Sequence, residues 1–154
     1  GSIFSFDIER GDVEKLAQPF VITHSRHDLR GVVVALVEDD PDIRMMLTDS
    51  MEEWGCRVFA AEESNEMLRM LEAARQSPDL LVCDYRLPNG ETAVHVIKRL
   101  RELWGGGVPA LVLTGDTAPE ALRNINASGA MLLHKPIAPS RLRTMMYFSL
   151  HGES

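Results

Sequence analysis

The sequence predicts a doubly wound α/β domain built on a five-stranded parallel sheet, and three observations predict it. Strand-length apolar runs at residues 32–37, 57–61, 80–83, 110–113 and 130–133 alternate with segments of helical periodicity. The first, third and fourth runs are apolar at nearly every position, as a parallel strand covered on both faces must be; an antiparallel strand with one wet face would alternate. Right-handed crossovers between successive parallel strands then place helices on both sides of the sheet.

Taken in order, the chain opens differently from the rest. Ile3, Phe4 and Phe6 alternate with Ser2, Ser5 and Asp7, a strand pattern. Residues 9–31 are mixed and polar, with an apolar stripe only over 13–17, and read as a linker. After the first run, Asp40 is placed to cap a helix and Pro41 to open it, and Ile43, Met46, Leu47, Met51 and Trp54 fall on one face. Asp40 and Asp42 read as cap and first-turn charges. Met67, Leu68, Leu71 and Ala74 form a second stripe, and Ala93, Ile97, Leu100 and Trp104 a third. Ala118, Ala121, Leu122 and Ile125 form a fourth, with Gly129 where a left-handed cap would end it. Leu142, Met145, Met146 and Ser149 form the fifth. Such an object is flavodoxin-like, and in that fold ligands bind at the carboxyl ends of the strands.

Composition narrows the function. Of 154 residues, 45% are hydrophobic and 25% charged, the profile of a globular protein. Lys and Arg number 16 against 23 Asp and Glu, a net charge of −7, which argues against a nucleic-acid partner. The acidity is local: residues 38–66 hold ten acids against Arg44 and Arg57. No apolar run approaches the roughly 18–20 residues of a membrane helix, so no direct membrane contact is expected of this segment. No basic stretch precedes an apolar one at the start, and Cys56 and Cys83 are too few for a disulfide scaffold or a structural zinc site. A reduced, cytoplasmic setting is the expectation.

The strand ends carry the chemistry. Glu38-Asp39-Asp40 follows the first run, Asp84 the third, Thr114-Gly115-Asp116 the fourth and His134-Lys135-Pro136 the fifth. Taken singly, each has an ordinary reading: a helix N-terminus, a turn residue, a turn, a surface loop. Together they bring carboxylates, a hydroxyl and an ammonium to one edge of the sheet. Crowded carboxylates repel one another unless a cation joins them, and hard oxygen ligands in a small cluster select Mg²⁺. A carboxylate beside Mg²⁺, Lys135 and Thr114 is a competent nucleophile for phosphoryl transfer.

These residues carry a resemblance. Leu36-Val37-Glu38-Asp39-Asp40-Pro41-Asp42-Ile43-Arg44, Leu81-Val82-Cys83-Asp84-Tyr85-Arg86-Leu87-Pro88-Asn89-Gly90, Leu113-Thr114-Gly115-Asp116 and His134-Lys135-Pro136 resemble the four motifs of response-regulator receiver domains, the CheY-like phosphoacceptors of two-component signalling. The resemblance spans residues 32–151. It implies that Asp84 is the phosphoacceptor and that Thr114 and Lys135 contact the phosphoryl group. It implies that Asp39 and Asp84 ligate Mg²⁺ directly, that Glu38 acts mostly through water, and that the backbone carbonyl of Arg86 completes the protein ligands. It implies a cis Lys135–Pro136 bond. Gly115 follows the pattern of a small residue beside the acceptor, and Arg86 and Asp116 stand where residues tune acyl-phosphate hydrolysis in relatives. One position departs: an aromatic usually stands three residues before the lysine, and here that residue is Leu132, so the resemblance does not carry the usual threonine–aromatic switch over to this chain.

Residues 1–8, Gly1-Ser2-Ile3-Phe4-Ser5-Phe6-Asp7-Ile8, resemble the closing strand of a histidine-kinase ATPase domain; the competing reading is a chance alternation behind a cloning remnant. Kinase tail, linker over 9–31 and receiver is the order of a hybrid sensor histidine kinase. The implied partners are a histidine-kinase dimerisation domain or a histidine phosphotransfer protein. Kinase activity would belong to the parent chain, which can be membrane-anchored, and the receiver itself would catalyse only gain and loss of its own phosphoryl group.

Other features are structural on this reading. His24, His27, His95, His134 and His151 make no metal spacing, and Cys83 faces away from the site. The methionines of the helices fill core. Gly105-Gly106-Gly107 is a loop, lacking the lysine of a phosphate-binding loop. Arg141 and Arg143 lie near the apolar stretch from Met145 to Phe148, which reads mostly as core rather than docking surface. A contact module that works without phosphorylation, or a stand-alone regulator, are the alternatives; the first is disfavoured by the intact acids. A dehalogenase-type phosphatase would need a second acid two residues after Asp84, where Arg86 stands.

Overall fold

The computed structural model describes residues 28–105, 107–115 and 118–151. The N-terminal strand expected near residue 4, most of the linker, and Asp116 lie outside the described residues. Five strands and five α-helices alternate: β1 (Val33–Val37), α1 (Pro41–Glu53), β2 (Arg57–Ala61), α2 (Ser64–Ala74), β3 (Leu80–Asp84), α3 (Ala93–Trp104), β4 (Ala110–Thr114), α4 (Pro119–Ala127), β5 (Met131–His134) and α5 (Pro139–His151). A single 3₁₀ turn, Pro88–Gly90, precedes α3. All strand pairs are parallel, in the order β2-β1-β3-β4-β5.

Strand alternation divides the interior into two cores. Ala35 and Val37, Leu81 and Cys83, and Ala110 and Val112 face α2, α3 and α4, meeting Met67, Leu71, Val96, Ile97, Leu100 and Ile125. Val34 and Leu36, Leu80 and Val82, and Leu111 and Leu113 face α1 and α5, meeting Leu47, Met51, Leu142 and Met146. The three central strands are therefore apolar up to their carboxyl ends for the reason expected: both faces are covered.

Two strands run one residue further than the sequence predicts. Asp84 and Thr114 end β3 and β4 rather than follow them, because the ladder continues past the last apolar residue: Tyr85 N donates to Leu113 O (2.8 Å) and Lys135 N to Thr114 O (2.8 Å). β5 is shifted one residue along for the same reason, and β1 begins at Val33.

The expected helices form. The Asp40 carboxylate caps α1, accepting from Asp42 N (2.9 Å) and Ile43 N (3.3 Å), with Pro41 in the first turn. One expectation on α1 fails. Met46 is 43% exposed and Met45 67%, so these methionines do not fill core. Leu47 and Met51 hold the inward face, and a step of one residue turns Met46 about 100° away from it. Ala74 is exposed as well, at the end of α2.

Packing begins ahead of β1. Leu29 is fully buried beneath α1 and α5, and the Cys56 thiol donates to its carbonyl (3.6 Å). Gly31 N donates to Gly55 O (2.9 Å). Gly55 has φ +93, and a Cβ there would fall 2.6 Å from Arg30 Cγ, so this crossing needs glycine twice over.

Candidate functional site

The register brings the four strand ends to one edge. Val37 pairs with Cys83, so Glu38 and Asp84 come side by side; Asp84 pairs with Leu113, and Thr114 with His134, which sets Thr114 and Lys135 alongside them. Glu38 N still bonds Ala61 O (3.0 Å), and its side chain turns inward, 1% exposed. Asp39, the next residue, is exposed. The Arg44 guanidinium reaches back from α1 to donate to Glu38 O (2.7 Å), and Asp40 N donates to Glu38 Oε2 (3.2 Å), so the β1–α1 turn is held from both sides.

Glu38, Asp39 and Asp84 each present a carboxylate oxygen within 4.8 Å of the others. Lys135 Nζ lies 3.2 Å from Asp84 Oδ1 and 3.5 Å from Glu38 Oε1. The second contact is close enough for attraction but not aligned as a hydrogen bond, and Glu38 Oε1 is buried without a hydrogen-bond partner. Thr114 is buried at the same edge, and the Lys135–Pro136 bond is cis.

The electrostatics follow from this crowding. Burial, with the Asp84 charge next, pushes the Glu38 carboxyl up to about 7, and the Asp40 N–H and Lys135 only partly oppose it. Burial likewise raises Asp84 against the pull of Lys135, and Asp39 adds to the rise. Burial alone would lower Lys135, but Asp84 and Glu38 outweigh it and hold the ammonium charged. Three carboxylates and one ammonium leave the ionised site two charges negative, the complement of one divalent cation. The buried, unpaired Glu38 oxygen points to the same deficit. The donor set is all oxygen, which suits Mg²⁺.

Residues 34–147 match the response regulator receiver domain family. The chain belongs to that family. It is a receiver domain of two-component signalling. It is similar to the KDP operon transcriptional regulatory protein KdpE of Escherichia coli, at 34% identity over 79% of this chain and 52% of that protein. It is similar to the sensory/regulatory protein RpfC of Xanthomonas campestris, at 26% identity over 88% of this chain and 19% of that protein. The receiver thus spans about half the length of the first relative and about a fifth of the second. Among solved structures it resembles the chemotaxis protein CheY4 of Vibrio cholerae, with a TM-score of 0.69 and 29% identity over 78% of this chain and 99% of that one.

The receiver gathers Glu38, Asp39, Asp84, Thr114 and Lys135 into one site. Arg86 is exposed on a hairpin beyond β3, its guanidinium 5.6 Å from the centre of the buried Tyr85 ring. Leu132 is half-buried against the α2–α4 core, on the face of the sheet that Val112 shares, and lies back from the site. Cys83 is buried in that core, its thiol pushed well up by burial. His95 is exposed and closes the first turn of α3 with Thr92. Among the described residues no helix is long and apolar enough to cross a membrane.

In the sequence Arg44 is only the last residue of a motif, and nothing there singles out Ser64, Glu91 or Arg99. A helix arginine gives no sign that it will reach a carbonyl six residues earlier. Ser64 and Glu91 lie 27 residues apart, and only the fold joins them.

Proposed function

We propose that this receiver takes a phosphoryl group from a phosphohistidine onto Asp84 and, in a phosphorelay, passes it to another histidine. One observation carries the reading: the Asp84 carboxylate lies 3.2 Å from Lys135 inside a partly buried acidic cluster that one ammonium cannot neutralise. An Asp84 oxygen attacks phosphorus in line; the P–O bond forms as the P–N bond to the donor imidazole breaks, and that nitrogen leaves with its electron pair. Lys135 offsets charge on the transferred group, and the Thr114 hydroxyl donates to one of its oxygens. Asp39, Asp84 and the Arg86 carbonyl would hold Mg²⁺ directly and Glu38 through water. When bound, the ion would add its two positive charges to that of Lys135 against the oxygens of the transferred group.

The place of this receiver in a larger chain belongs to the same proposal. We read residues 1–8 as the end of a kinase ATPase domain, 9–31 as a linker and 32–151 as the receiver of a hybrid histidine kinase. The alignment with RpfC supports this, because its 88% of the chain is more than residues 34–147 supply. The donor would then be a kinase dimerisation helix and the acceptor a histidine phosphotransfer protein, in the cytoplasm.

Purified protein given Mg²⁺ and an acyl-phosphate donor should gain one acid-stable, hydroxylamine-labile phosphoryl group. Asp84→Asn should abolish it; unchanged labelling in that variant would overturn the assignment. A coding sequence upstream of residue 1 without an ATP-binding kinase core would overturn the hybrid-kinase context alone.

A further inference from the structure

Between Asp84 and α3 the chain makes a short hairpin. Leu87 N donates to Glu91 O (2.9 Å), Ala93 N to Tyr85 O (2.9 Å), and Arg86 faces Thr92 across an antiparallel bridge. Asn89 (φ 64) and Gly90 (φ 74) turn its tip in the left-handed region. A two-stranded hairpin of this size is marginal by its own bonds. Within residues 86–92 only Leu87 is buried, so packing adds little.

The Glu91 side chain leaves the hairpin and is held by two other elements. Ser64, in the first turn of α2, directs its hydroxyl at the Glu91 carboxylate, 2.7 Å from Oε2 and 2.9 Å from Oε1. Arg99, on α3, donates from Nη1 to Ser64 Oγ (2.8 Å) and stands 3.8 Å from Glu91 Oε2. Ser64 is 2% exposed. The hydroxyl accepts from a cation while donating to an anion, so each bond polarises the other. Neither helix needs the contact to dock: α2 is seated by Met67 and Leu71, and α3 by Val96, Ile97 and Leu100. The element that gains a fixed position is the hairpin.

We propose that Ser64, Glu91 and Arg99 form a positioning clip that sets the hairpin, and with it the Arg86 backbone, for cation binding next to Asp84. The proposal rests on the phosphoacceptor reading, because Arg86 matters to the metal only under that reading. Supports of this kind act on metal affinity through a ligand that they do not replace. Glu91 is thus a carboxylate of the site's neighbourhood whose charge is spent on the loop. It lies outside the acidic cluster of Glu38, Asp39 and Asp84.

The test uses the full chain as wild type, Ser64→Ala, Ser64→Thr, Glu91→Ala and Asp84→Asn. Mg²⁺ affinity is measured by titration calorimetry, and amide hydrogen exchange across residues 85–92 is measured in the metal-free protein. Ser64→Ala and Glu91→Ala should weaken Mg²⁺ binding by about 10-fold or more. They should also speed exchange at residues 86–92 without touching β3, and Ser64→Thr should restore both. Labelling of Asp84 should recover to near the wild-type rate at saturating Mg²⁺, which a damaged fold would not allow. Wild-type Mg²⁺ affinity in both clip variants would overturn the proposal. Should Glu91→Ala not fold, Ser64→Ala and its threonine rescue decide alone. Failure of wild type to bind Mg²⁺, or labelling of Asp84→Asn, would instead bring down the phosphoacceptor reading beneath it.

Discussion

The two flanks of Asp84 are built to different degrees of completeness. On the β1 side, Glu38 is buried, Asp39 is exposed at the mouth, and Arg44 and Asp40 fix the turn between them. On the β4–β5 side Thr114 and Lys135 are in place, but Leu132 stands where an aromatic side chain usually lies. Leu132 packs on the α2–α4 core, so the acidic cluster and Lys135 come together at the sheet edge without an aromatic at that position.

The largest expected effect lies on the shared boundary of those flanks. Lys135→Ala should slow labelling by about 100-fold or more, since it removes the ammonium that lies 3.2 Å from Asp84. A rate within a few-fold of wild type would mean that the acidic flank suffices without it. Next in size, Asp39→Asn should raise the Mg²⁺ concentration needed for half-maximal labelling by about 10-fold or more, read from a metal titration.

A third effect is pH-dependent and separates the flanks by metal. Folding raises Glu38 from its ordinary 4.5 to about 7, so the native state holds this proton more tightly than the unfolded chain. The stabilisation that follows is complete below about pH 4.5 and is lost as pH rises through 7. Metal-free protein should thus show a falling contribution to Tm from pH 5 to 8. Mg²⁺ should raise Tm more at pH 8 than at pH 6, because the ionised carboxylates bind it. Glu38→Gln should flatten the metal-free slope, and a scan of Tm against pH with and without Mg²⁺ checks all three. The smallest effect is expected at Leu132. Replacement by Tyr should leave the labelling rate within about 3-fold, as the side chain packs on the α2–α4 core and not on Asp84. A larger change would tie Leu132 to the chemistry.

Much of this was legible in the sequence. Apolar runs on a parallel sheet mark strands from both sides, and the residue types at the strand ends name their chemistry before any coordinate does. The rest depended on hydrogen bonds and rotation. Asp84 and Thr114 belong to strands because backbone bonds outlast the apolar run, which side-chain pattern does not register. Met46 fitted a helical stripe but sits a third of a turn off the buried line. Ser64, Glu91 and Arg99 are ordinary surface types, and their meeting is a product of tertiary structure alone.

Leu29 gives the domain a fixed point of entry. The segment just ahead of β1 is fixed by Leu29 in the core and by Gly31 on Gly55, whereas Asp84 lies at the carboxyl end of the sheet. A five-residue strand separates those poles by roughly 17 Å of backbone. Anything joined upstream is moored at the pole opposite the acceptor. Under the phosphoacceptor proposal, a donor joined upstream of Leu29 must be carried past the full length of β1 to meet Asp84.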